Sequence, residues 1–111
     1  MLINCYIVTE NILITAKSVF KIRDEVAFRK LSDGSITIVS PVTDKMISVN
    51  SSAAEIWEMI DGANSLKQIT DRFYFSHEND RECPPVEELK KDVFEMVKSF
   101  FDRNLIEIIN N

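Results

Sequence analysis

A chain of 111 residues has room for one hydrophobic core and not for two. Hydrophobic residues at 45% beside 28% charged residues argue against global disorder, and no apolar run approaches the length of a membrane-spanning helix. The formal charge of −5 is unevenly spread: residues 1–50 carry six Lys or Arg against five Asp or Glu, and residues 51–111 carry seven against thirteen, the wrong sign for gripping a phosphate backbone.

Residues 2–8 and 12–14 are two β-rich apolar runs separated by Thr9-Glu10-Asn11. They are expected to pair as a hairpin whose register cannot be read, because neither run alternates cleanly. Residues 1–22 are set apart as an N-terminal β extension, which either covers part of the core or makes a dimer contact, and residues 23–111 as the folded unit. The start of the chain lacks a basic segment followed by an apolar core, so a cytoplasmic protein with reduced cysteines is expected.

Residues 26–31 alternate as a strand, and Ser32-Asp33-Gly34-Ser35 is a turn with Asp-Gly at its centre. A second strand over 36–40 stops at Pro41, which cannot donate to a ladder, and Val42-Thr43-Asp44 makes the connection. Lys45 to Val49 reads as the third strand, with Ile47 and Val49 on one face and Met46 and Ser48 on the other. Successive hairpins give the order 1-2-3, which leaves this strand at the sheet edge.

Ser52 and Glu55 have capping-box spacing, and Gly62 suits a helix stop, so the first helix is predicted over 52–61. Ala53, Ile56, Trp57 and Ile60 share one face and would bury the only tryptophan. A second capping box at Ser65 and Gln68 opens a short helix closed by Phe73-Tyr74-Phe75, followed by a polar loop over 76–83 that carries His77. Pro84-Pro85 suits the start of a third helix over 86–103, and residues 105–109 are either a last strand or a cap on the core. The sum is an α+β, winged helix-turn-helix-like arrangement: a three-stranded antiparallel sheet, then three helices, with an extra N-terminal β segment.

No set of residues suggests catalysis. Cys5 and Cys83 are far apart and outside any C-x-x-C pair, and His77 is the sole histidine, read here as a solvated loop residue. No metal or cofactor is expected. Glu87 with Lys91, Lys91 with Glu95, and Lys98 with Asp102 have the spacing of a salt-paired solvent face. On the third helix Leu89, Val93, Met96, Val97, Phe100 and Val86 sweep an apolar arc of roughly 100°, and Phe94 and Phe101 widen it by roughly 60°, with Lys90 at the margin. Either the N-terminal hairpin covers the two phenylalanines or they line a groove.

A strand ending Val49-Asn50, then Ser-Ala-Ala-Glu-Ile-Trp, Ile-Asp-Gly and a helix opening Ser65-Leu66-Lys67-Gln68-Ile69 resembles the PqqD family over about residues 26–108. That resemblance implies the same fold and a non-enzymatic role. Such proteins recognise the leader region of a ribosomally made precursor peptide and serve a separate modifying enzyme, often a radical-SAM maturase or a protease-cyclase system. It also implies where a peptide would lie, along Lys45, Met46, Ile47, Ser48 and Val49 and against the third helix. There Phe94, Val97 and Phe101 would be anchors, and Lys90 and Lys98 would meet acidic side chains. The competing reading, a winged-helix nucleic-acid binder, needs a basic helix where 86–103 carries five acids and four bases. An enzyme or carrier in quinone biosynthesis would need a nucleophile or redox centre that the chain does not offer.

Overall fold

The computed structural model describes residues 5–7, 13–40, 44–81 and 83–110. The expectations resting on residues 1–4, on the separator 9–11 and on Pro41-Val42-Thr43 therefore lie outside the described residues. An N-terminal hairpin is present: β1 (Cys5–Ile7) pairs antiparallel with β2 (Leu13–Thr15), Tyr6 opposite Ile14. Next comes β3 (Val19–Ile22), which pairs with the last strand, β7 (Ile106–Asn110), so an early segment and the last one meet in one two-stranded ribbon. The sequence signals did not single out β3; its four residues have a partner only at the far end of the chain. Residues 105–109 were read as strand or cap, and a strand is what forms.

The three-stranded sheet is as expected, with β4 (Ala27–Lys30), β5 (Ile36–Ser40) and β6 (Lys45–Val49) in the order β4-β5-β6. The β4–β5 turn closes through Gly34 N–H donating to Leu31 O at 3.0 Å, while Asp33 Oδ1 accepts from Ser35 N–H at 2.9 Å. Gly34 has φ +91°, a conformation that only glycine adopts without strain.

The helices are α1 (Ser51–Glu58), α2 (Leu66–His77) and α3 (Val86–Asp102). Two details of α1 differ from the sequence reading. Its cap is Asn50, whose Oδ1 accepts from Ala53 N–H at 2.9 Å, and not Ser52, which already lies inside the helix, while Glu55 contacts His77. The helix also ends at Glu58, before Gly62: Asn64 Nδ2 donates to Met59 O at 3.1 Å, and Gly62, at φ +83°, donates its N–H to Phe20 O at 2.9 Å. Gly62 thus joins α1 to β3 and does not cap the helix. The Ser65–Gln68 capping box forms, but α2 runs past Phe75 to His77. Its first free N–H groups, on Leu66 and Lys67, donate to Ser18 O and Ala16 O, which anchors the N-terminal segment. The end of α3 is set by Asn104, left-handed at φ +62°, the position where asparagine substitutes for glycine.

The core lies between the sheet and the helices. Trp57 is fully buried, in edge-to-face contact with Phe28 of β4 (centroids 5.5 Å) and Phe100 of α3 (5.0 Å). Ile36 and Ile38 of β5, Ile69 of α2, Val93 and Val97 of α3, and Phe20 of β3 complete it. Phe20 has no exposed surface, so residues 19–22, grouped by sequence with the N-terminal extension, pack into the same core as the helices.

Candidate functional site

Order β4-β5-β6 leaves the outer edge of β6 unpaired among the described residues, so its outward N–H and C=O groups are open to another strand. The register places Val49 opposite Ile36 and Ile47 opposite Ile38, turning both toward the core side. Met46 and Ser48 point the other way, and Met46 is 73% exposed. Beside this edge runs α3, and between them lies a cleft of about 270 Å³. Ile47, Val49 and Phe100 give it an apolar floor, with Met96, Ser99 and Arg103 along the helical wall. Met96, Ser99, Phe100 and Arg103 fall at i, i+3, i+4 and i+7, one face of α3.

The residues expected to form a peptide site are not all brought together. Ile47, Ser48 and Val49 line the cleft, and Lys45 and Met46 continue the same edge. Phe94 and Lys90 instead line a recess of about 190 Å³ facing α2, with Leu66, Lys67 and Thr70. Phe94 also borders a shallow depression with Lys98. Val97 is fully buried, and the Phe101 ring meets Phe20 of β3 edge-on at 6.4 Å. At 100° per residue, the stripe of Lys90, Phe94, Val97 and Phe101 is centred roughly 140° round the helix from the stripe that faces β6. Both lysines are occupied on their own helix: Lys90 with Glu87 at 3.6 Å, and Lys98 with Asp102 at 2.7 Å. Lys98–Asp102 is one of the expected pairs, whereas Glu87 takes Lys90 in place of Lys91. Met96 and Phe100 were read as part of the core-facing arc and not as a peptide surface, and Arg103 was passed over because the cleft-facing stripe mixes polar with apolar residues and looks like a solvent face.

A second cavity of about 630 Å³ adjoins the first, since Asn50, Ala53 and Met96 line both. It is enclosed by the start of α1, the end of α2 and the first turns of α3. His77, expected in a solvated loop, is the last residue of α2 and stands on its rim. Nδ1 lies 2.6 Å from Asp80 Oδ2, and Nε2 lies 2.9 Å from both carboxylate oxygens of Glu55. A ring with a carboxylate at each nitrogen is best satisfied as imidazolium. The Asp80 contact, then the Glu55 contact, raise the His77 pKa above its ordinary value, against a smaller opposing effect of burial. This clamp ties α1 to the α2–α3 connection. Among the described residues no group of three or more His, Cys, Asp or Glu could hold a metal ion, Cys83 is free, and no helix is long and apolar enough to cross a membrane.

Solved structures share this fold. TbiB1 in complex with the TbiA(beta) leader peptide superposes with a TM-score of 0.66 at 15% identity, covering 82% of this chain and 99% of that one. The PqqD truncation of Methylobacterium extorquens PqqCD, described as a stand-alone recognition element for ribosomally synthesised and post-translationally modified peptides, gives 0.65 at 14% identity, with 85% and 94% covered. Lasso peptide synthetase B1 complexed with its leader peptide gives 0.64 at 17%, with 79% and 96% covered. No curated protein matches the sequence. Residues 36–106, from β5 to the start of β7, match the family described as Coenzyme PQQ synthesis protein D (PqqD), more than half of the chain, and the protein therefore belongs to the PqqD family.

Proposed function

We propose that this protein binds the leader region of a ribosomally made precursor peptide by accepting it as an added strand on β6, and presents it to a separate modifying enzyme. The observation that carries this reading is the unpaired β6 edge lying beside an apolar-floored cleft. Strand addition supplies main-chain hydrogen bonds, and the neighbouring cleft takes alternate side chains. Family membership supports the reading, as do two neighbours of the same fold that were solved with leader peptides. The anchoring surface on α3 is then Met96, Ser99, Phe100 and Arg103, while Phe94, Val97 and Phe101 serve the packing of α3 against α2 and β3. The protein acts as an adaptor without chemistry of its own, and a radical-SAM maturase or a protease-cyclase system is the class of enzyme it would serve.

α3 offers duplex DNA no basic face. The charged residues of α3 and its cap are five acids against four bases, and two of those bases are already paired within the helix. The deciding experiment is an amide chemical-shift map during titration with short peptides encoded next to the gene, run alongside a low-salt titration with duplex DNA. Shifts concentrated at 45–50 and 96–103 are expected. Peptide-induced shifts that avoid β6, or tight salt-sensitive DNA binding, would overturn the reading.

A further inference from the structure

The β6 cleft does not end at Asn50. Asn50, Ala53 and Met96 also line the larger cavity, so a chain lying along β6 that continues past Asn50 reaches it. Its floor is apolar, built from Ile56, Phe73, Leu89 and Val93. Its rim is charged. Asp92 stands on the α3 side, with Glu88 and Glu95 one turn away on the same face, and neither Asp92 nor these glutamates form an ion pair among the described residues. Opposite, the charge of His77 is already met by Asp80 and Glu55. Arg81 is the one unpaired cation on this rim among the described residues. At the far end of the cleft the sign reverses, for Arg103 lines it, Lys45 lies two residues before Ile47, and neither has an ion-pair partner among the described residues.

We infer that this cavity is a second subsite for the same peptide, taking a segment in which a long apolar side chain is flanked by lysine or arginine. The inference rests on the proposed strand addition to β6, because continuity with that cleft is what delivers the segment. The apolar side chain enters over Ile56 and Leu89, and the cation meets Asp92 at the rim. Lys45 and Arg103 disfavour a cation at the other end, so the charge gradient along the groove sets the direction and register of the bound peptide. Such rim charges select and orient a partner more than they tighten it.

The test is selection of a displayed library of random 15-residue peptides on the full chain, repeated on Asp92→Lys. Asp92 is exposed and outside the core, so the variant folds. Peptides enriched on the unsubstituted chain should carry an apolar stretch with Lys or Arg concentrated on one side of it, and that bias should vanish or turn acidic on Asp92→Lys. A selected peptide should bind Asp92→Asn roughly threefold more weakly, and it should shift the amides of both 45–49 and 77–81. Selected peptides that shift 45–49 but show no cationic bias, and are indifferent to Asp92→Lys, would overturn the second subsite and leave strand addition standing. Failure to enrich any peptide, or enriched peptides that leave 45–49 unshifted, would overturn both.

Discussion

Trp57 is the residue on which most packing converges: it touches Phe28 and Phe100 edge-on and has no exposed surface. Its Nε1 is buried without an acceptor among the described residues, so the ring contributes through apolar area and aromatic contact. Trp57→Ala should cost about 3–5 kcal/mol, measured by denaturant titration. His77 is the residue whose charge is held by two carboxylates. With its folded pKa raised above the unfolded value, the stability it contributes is fully present below the unfolded pKa of about 6.5 and is lost as pH rises through the folded pKa. Replacing Glu55 by Gln leaves the Asp80 contact and removes the other carboxylate, so the His77 pKa in an NMR titration should fall toward its ordinary value. An unchanged pKa would mean that Asp80 alone holds the proton.

At the scale of elements, α3 has two working faces, and they make opposite forecasts. Phe101 packs on Phe20 of β3, away from the β6 cleft, so Phe101→Ala should destabilise the fold by about 1–3 kcal/mol and leave peptide affinity unchanged. Met96 is half-buried and lines both cavities, so Met96→Ala should weaken peptide binding by about 1–2 kcal/mol at modest cost in stability. Calorimetric titration paired with thermal unfolding of the two variants separates the faces. The position of α3 was legible from its apolar periodicity, and so was the sheet edge, since three strands joined by short hairpins leave the third outermost. Which helical face meets that edge was not legible. The surplus apolar area at Phe94 and Phe101 left a groove and a covering hairpin equally open, and the resemblance favoured the groove; the Phe101 ring instead meets Phe20 of β3, Phe94 lines the recess facing α2, and the face beside the cleft is the one diluted by Ser99 and Arg103.

The fold is closed by a contact between an early strand and the last one. Strand β7 pairs with β3, and Leu105 and Ile106 are buried beside Phe20. Removing residues 106–110 should therefore lower the thermal midpoint of the entire domain and not merely fray a tail, which a single cooperative transition at reduced temperature would show. The sequence by itself determined the local elements. The three-strand meander, the Ser65–Gln68 capping box, the burial of Trp57 and the extent of α3 all follow from turn chemistry and periodicity within a few neighbouring residues. Only the tertiary structure decided that Val19–Ile22 is a strand, that Gly62 joins α1 to β3 without capping the helix, and that Glu55 holds His77. These depend on groups that meet across loops, between helices or from opposite ends of the chain, and a partner's identity across such a distance is set by how the core packs, which no local pattern encodes.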